Sequence, residues 1–507
     1  MPTAKDIELL RLHNKKIRMR VRLLDSTTYT EVDNITGTIV SCSFDKDSGS
    51  DIRSTCSLTL HVPKKSSINA DFDKTWNKRM VELFCGIYDN SSNRYVEYSL
   101  GRMLMSSGGT TYRGDTQEVR LNLVDLMASL TEERGSQIGT DTFIPTTAEG
   151  VNVRNVIVNI IGTFTEFKRH SICEFDSTLP HDLRFEVGVY PIEMLSKVLS
   201  LFPYYEMYYD EAGVFTVRKI PTQISDPIDI GADILDDLII SESRDSDFSQ
   251  IRNTTEIWGR TLTCDYAAKK CETSGSTYNV TIGDTFTAMV DGESYAVKPT
   301  TNSVSGQKMK IQTLPEYKIY TMNGAGEYSE LNADEMLAGT VYAIRYTNER
   351  FVLQGEMQIR CIVQEIVEEP PVDAKEAYME ENACWNVQWV VNPDSVYGCT
   401  LTPTTNRISG EIKQVLQDGE YAEIYTTQLA YERARYENWR KCRLQDTVEV
   451  EMIIVPWMKI NQKIQYTSPV SGELGTWIVQ AISYDFKTWT MTVRAARFYP
   501  YYPWEEE

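Results

Sequence analysis

The sequence predicts a multidomain, mainly β protein with an α+β insertion. Three observations carry that prediction. Apolar and polar residues alternate with a period of two in many short runs, such as Ile17, Met19, Val21 and Leu23 interleaved with Arg18, Arg20 and Arg22. Aromatic residues make up 10% of the chain, with 29 Tyr, and such side chains suit a pleated, half-buried surface. The 507 residues exceed one ordinary core; at roughly 150 residues per domain they divide into about three or four units.

Residues 1–130 read as antiparallel β. Cys56, Leu58, Leu60 and Val62 repeat the alternation, as do Val119, Leu121 and Leu123, and apolar runs lie at Met80–Tyr88 and Tyr98–Met105. Asp45–Ser50 and Ser106–Gly109 are turn material. This spacing suits a small barrel or sandwich. The basic stretch Lys5–Arg22 reads first as a wet strand face set against acidic neighbours, with a DNA contact as the second reading.

Residues 131–225 change period. Val151, Val153, Val156, Ile157, Ile160 and Ile161 predict a buried helix stopping at Gly162; Ile192, Leu195, Val198, Leu199 and Phe202 predict a second, opened by Pro191 and ended by Pro203. A strand at Glu206–Tyr209, a tight turn at Asp210–Gly213 and a returning strand Val214–Arg218 complete an α+β unit.

The acidic stretch 226–247 departs from the order of a calcium-binding EF-hand loop and reads as a solvated linker. β-structure resumes over 250–370. Asp291-Gly292 between Phe286–Val290 and Tyr295–Val297 predicts a hairpin, and Val341–Tyr346 and Met357–Ile366 predict strands. Residues 368–373 mark a boundary. Thr427–Arg440 predicts a helix, followed by strands at Val448–Val455, Lys463–Thr467, Trp477–Ser483 and Thr490–Ala495. The aromatic, proline-containing end from Phe498 is expected to extend and dock. No repeat with a period of 20–50 residues is visible.

A net charge of −21 argues against nucleic-acid binding, which needs a basic footprint, and against an anionic membrane surface. No apolar run approaches the ~18 residues of a spanning helix, and the N-terminus lacks a signal-peptide core, so synthesis and folding in a cytoplasm are expected. The 10 cysteines form no C-x-x-C and read as buried thiols, with Cys264 and Cys271 the pair to check for a bridge. The four histidines, His13, His61, His170 and His181, form no metal-binding spacing. Cys173 and His181 stand eight residues apart, with nothing else to make them a nucleophilic pair. There is no G-x-S-x-G, no P-loop and no dinucleotide fingerprint. No catalytic, cofactor-binding or metal residue is therefore assigned, no cofactor is expected, and the expectation is a non-enzyme.

Three stretches carry a family resemblance. They are Arg169–Lys219, with its Pro-led helix and the run FPYYEMYYDEAGVF; Asp418–Tyr466, a helix followed by a strand and Pro456-Trp457; and Trp477–Pro500, whose last strand follows a Trp-Thr-Met turn. In this order they resemble baseplate-hub or tail-tip structural proteins of tailed phages, especially prophage-like phages of Gram-positive bacteria. The resemblance implies two tube-like β-barrel domains plus peripheral inserted domains. The first barrel would be 1–130, and the second 226–262 with 441–507. The α+β domain 131–225 and the inserted β-rich region 263–440 would lie outside. It further implies a homo-oligomer, a trimer presenting six barrels to a sixfold tail tube. Its partners would be a distal tail or tail-tube protein, a central spike or fibre and a tape-measure protein. DNA would pass through without specific binding, past an acidic wall. The location implied is the virion, at the tail baseplate or tip, after assembly in the bacterial host cytoplasm. Two other classes are a tail-associated cell-wall hydrolase and a glycan-binding receptor-recognition module using exposed Trp or Tyr.

Overall fold

The computed structural model describes residues 3–364 and 412–499, apart from 13, 36–37, 64–78, 114–115, 145–151, 174–178, 180–182, 203, 224, 248, 251, 253, 323–327, 425–426 and 442–444. His13, His181, Cys384, Cys399, Cys442, the boundary at 368–373 and the chain from 500 onward lie outside the described residues.

Twelve strands form the largest sheet. In chain order they are β1 (Ile17–Asp25), β2 (Glu31–Ile35), β3 (Thr38–Asp47), β4 (Ser54–Pro63), β5 (Arg79–Asp89), β6 (Arg94–Arg113), β7 (Thr116–Asp125), β8 (Ile239–Asp247), β9 (Gln445–Ile453), β10 (Lys463–Thr467), β11 (Leu474–Asp485) and β12 (Thr490–Arg497). The sheet runs β8-β9-β12-β11-β3-β4-β7-β6-β5-β1-β2, and β10 pairs with β11. Alternation sets its faces. β4 buries Cys56, Leu58 and Leu60 and exposes Ser57 between them.

The sheet contains one topology twice. In β3–β7 the first strand pairs with the second, the second with the fifth and the fifth with the fourth, while the third pairs with the fourth. β8–β12 follow the same order. Bulges fall at matching places: Val40 in β3 and Ile240 in β8, Ser106 in β6 and Gln480 in β11. The two halves join edge to edge through β11 and β3, with Ser483 opposite Asp45 and Tyr484 opposite Phe44. One apolar core serves both. It takes Phe44, Leu58, Leu83 and Leu121 from the first half and Val450, Ile482, Tyr484 and Val493 from the second, with Leu9 and Leu10 of helix α1 (Ala4–Leu10).

A second core lies under helices α2 (Val153–Phe164) and α3 (Pro191–Ser200) and reaches the sheet at Leu24, Met80 and Leu104, with Leu126 just past the end of β7. The strands Tyr205–Tyr209 and Phe215–Lys219 form the predicted hairpin, with His170–Ile172 added parallel. After a short helix α4 (Ala232–Leu235) and β8, a separate nine-stranded sheet spans Tyr266–Glu356 around Tyr278, Tyr295, Met309 and Phe351. Helix α5 (Thr427–Lys441) packs on a three-stranded sheet of Thr254–Thr261, Gln358–Gln364 and Lys413–Leu416.

Several expectations are corrected. Ser106–Gly109 is not a turn but runs inside β6, where the bulge and the exposed position tolerate glycine. Asp291-Gly292 makes a turn, yet Ser294–Val297 pairs with Tyr342–Thr347 and Tyr266–Ala267 rather than with Phe286–Val290. Turn chemistry is local, whereas the strand's partner is chosen by the core that Phe286 and Tyr295 share. α2 continues past Gly162 to Phe164 because its buried apolar face outlasts one glycine. The acidic stretch 226–247 is no linker. Asp226 caps the N–H groups of Thr222 and Gln223, Asp229 accepts from Lys463 N, and the end of the stretch is β8. Thr254–Thr261 leaves the main sheet for the one under α5. Cys264 and Cys271 are free thiols.

Candidate functional site

Directly opposed residues of an antiparallel sheet share a face, so the register defines rows across the strands. One row reads Ser241, Glu451, Thr492, Ser483, Asp45, Thr55, from β8 to β4 across the junction of the halves. Beside it lies Ser243, Glu449, Arg494, Ala481, Asp47. On the other flank Asp485, Ser43, Ser57, Asn122 and Ser107 continue into the first half. These rows lie on the face opposite the shared core and form a polar wall of small hydroxyl and acidic side chains.

The wall is held in register by its own side chains. Ser483 Oγ donates to the Asp45 carboxylate across the junction, and Arg494 reaches Asp47 at 3.2 Å. Ser57 Oγ donates to Asn122 Oδ1 at 3.3 Å, and Asn122 Nδ2 donates to Ser107 Oγ at 2.8 Å. Asp45, Asp47, Asp485, Glu449 and Glu451 outnumber Arg120 and Arg494, and these rows carry no aromatic side chain. Single-stranded nucleic-acid binding needs a basic groove and stacking platforms, and this wall offers neither. It can border a polyanion without holding it.

Charge is paired where the α+β unit meets the sheet. Arg53 and Arg218 both bind the buried Glu206 carboxylate, which also accepts from Asn461. Glu211 takes Lys46 at 3.2 Å and Lys459 at 2.6 Å. Burial alone would raise the Glu211 pKa, but the two ammonium groups pull it down to about 2. Along β1, Arg18 and Arg20 clasp Glu97 at 2.8 and 2.6 Å, and Arg22 pairs with Glu82, which Arg102 also reaches at 3.1 Å. The three arginines of β1 are thus paired with carboxylates within the fold.

Cys173 is half-buried, and burial, its first cause, raises its pKa, the reverse of an activated nucleophile. His61 is exposed on β4, 3.8 Å from the Glu118 carboxylate, and His170 is exposed on its own short strand. Among the described residues no group of three or more His, Cys, Asp and Glu is placed to hold a metal, and no helix is long and apolar enough to cross a membrane. The family resemblance implied two tube-like barrels, but the residue patterns by themselves were not read as a duplication, although a signal exists: IVSCSFDKD from Ile39 and IISESRDSD from Ile239, two hundred residues apart, share the spacing of Ile, Ser and Asp. A search for periods of 20–50 residues does not reach that separation.

Residues 401–502 match the family model described as Domain of unknown function (DUF5048). No curated protein matches the chain. Among solved structures, the chain is similar to tail proteins, two of them from prophages. The tail protein from Neisseria meningitidis MC58 is 7% identical with a TM-score of 0.47, covering 94% of this chain and 96% of that one. The prophage MuSo2 43 kDa tail protein from Shewanella oneidensis is 8% identical with a TM-score of 0.45, covering 94% and 98%. The prophage tail protein gp18 from Listeria monocytogenes EGD-e is 7% identical with a TM-score of 0.38, covering 94% of each chain.

Proposed function

We propose that the chain is a non-enzymatic structural protein of a phage-type tail, a baseplate or tail-tip hub that closes into a ring with copies of itself. The observation that carries this reading is the duplicated half-sheet. Two copies of one five-strand topology stand edge to edge, present one continuous polar face, and leave strand edges unpaired among the described residues. A strand edge left bare is an aggregation hazard that proteins normally blunt, and closure with further copies consumes it. The resemblance supplies the number: three chains give six halves, matched to a sixfold tail tube.

In this reading the polar wall lines the lumen. Its excess of carboxylates over guanidinium groups repels phosphate, and the absence of aromatic platforms denies bases a place to stack. The ring docks a tail-tube protein on one side and a spike, fibre or tape-measure protein on the other, and DNA leaves through it on infection. The inserted nine-stranded unit and the α+β unit stand on the periphery, and the assembly resides in the virion.

Light scattering and negative-stain imaging of the full chain test the proposal. A ring near three times 58.0 kDa is the expected result. A monomer at every concentration, with no ring in images, overturns it.

A further inference from the structure

The duplication specifies a joint between chains, residue by residue. Matching bulges align the halves without free parameters: Ile39 with Ile239 and Met105 with Val479. The register across each half then agrees, for Leu60 lies opposite Val119 as Met452 lies opposite Met491. Each half has a leading edge strand, β3 or β8, and a trailing strand, β6 or β11. Trailing β11 of the second half already pairs with leading β3 of the first. Trailing β6 of the first half has β7 along Ser107–Thr111 and, among the described residues, no strand paired on its other side. Leading β8 of the second half is likewise paired only with β9, and Ser243–Asp247 are exposed.

We propose that these two bare edges are partners, β6 of one chain pairing antiparallel with β8 of a second copy in the register of the internal joint. Ala481 opposite Asp47, Ser483 opposite Asp45 and Asp485 opposite Ser43 translate into Ser107 opposite Asp247, Gly109 opposite Asp245 and Thr111 opposite Ser243 of the second copy. The proposal rests on the ring reading and adds to it which strands meet and at which residues. The polar wall then continues unbroken, since these positions extend the rows already described.

The two joints differ in one respect. The internal one buries Tyr484 against Phe44, ring centroids 5.5 Å apart. The corresponding positions between copies are Thr110 and Arg244, a polar pair. Main-chain hydrogen bonds without an aromatic anchor hold a joint that forms after the chain has folded.

The test is a paired-cysteine chain, Gly109→Cys with Asp245→Cys, oxidised with diamide. Two thiols give two electrons and two protons to the diazene, and one S–S bond forms. A Cβ at Gly109 meets nothing within 4 Å, so the substitution is accommodated. Covalent oligomers on non-reducing gels are expected, at least tenfold more than from Gly108→Cys with Asp245→Cys, which places the thiols on opposite faces, or from either single variant. Slower amide exchange over residues 243–247 on assembly of the unmodified chain is the companion measurement. Rings without this cross-link, or with the offset cross-link instead, overturn the joint and leave the ring. Cross-linked chains that never close overturn the ring and keep the joint. Neither ring nor cross-link overturns both.

Discussion

Asp125, at the end of β7, is buried, and its carboxylate accepts from Ser54 N at 2.7 Å and Met127 N at 2.9 Å. Burial pushes its pKa up to about 6, against the pull of those N–H groups and of Arg53. A native pKa raised above the unfolded 3.8 means the fold holds the proton more tightly. The stabilising effect is complete below about pH 4 and is lost as pH rises through 6, a swing of about 3 kcal/mol. Asp125→Asn is expected to remove that slope and, with one N–H left facing an amide, to cost about 1–3 kcal/mol; urea midpoints at pH 4.5 and 7.5 check both. Glu211 behaves in the opposite sense. Its carboxyl is held down to about 2, so its contribution is present above about 4.5 and fades as pH falls toward 2. Glu211→Gln strands the buried Lys46 and is expected to destabilise by about 3 kcal/mol, read from the urea midpoint at pH 7. The sequence announced that Arg18, Arg20 and Arg22 share a wet strand face with acid nearby. It did not name Glu97 and Glu82, which arrive from strands 60 or more residues away.

At the scale of elements, the bulges carry more than their size suggests. A one-residue slip turns every side chain beyond it to the other face. Deleting Gln480 would remove the bulge and let Val479 opposite Ala495 run directly into Ala481 opposite Arg494, so the alternation becomes unbroken and Tyr484 stays in the core. The near-UV signal and a cooperative unfolding transition are expected to survive this deletion, as they should survive Gln480→Ala, and their loss would show that the bulge itself is needed for the sheet. The nine-stranded insertion offers the contrasting case. Thr261 and Gln358 are cross-strand partners, so the chain leaves and re-enters at one place, and the unit has its own core. Replacing residues 264–356 by a short Gly-Ser bridge is expected to leave the unfolding of the main sheet unchanged and to keep the ring; scanning calorimetry and imaging test this. Strands were legible here because burial imposes a period of two. The hairpin at Asp291-Gly292 was not, because a turn signal marks reversal of the chain and says nothing of its partner.

For the whole molecule, the polar wall predicts behaviour toward DNA. Assembled protein is expected to leave duplex DNA unshifted in a native gel even at low salt. The variant Asp45→Lys, Asp485→Lys, Glu451→Lys, with the wall reversed in sign, is expected to shift it, and retention of DNA by the unsubstituted protein would sink the idea of a non-adhesive lumen. These carboxylates lie far apart in the chain, and only strand register gathers them on one face.

By itself, the sequence determined the kinds of element and their faces. Alternation dictates which residues of β1, β4 and β7 are buried, the 3.6-residue period dictates the buried stripes of α2 and α3, and net charge already argues against nucleic-acid binding. These are local consequences of side-chain chemistry, repeated every two to four residues. Only the tertiary structure decided that β8 leaves its neighbours in sequence to join β9, some two hundred residues on, that two strand sets form one sheet through β11 and β3, and that one end of each half is left bare. Backbone N–H and C=O groups are the same in every residue, so which strand pairs with which is chosen by shape and by the shared core rather than by residue identity.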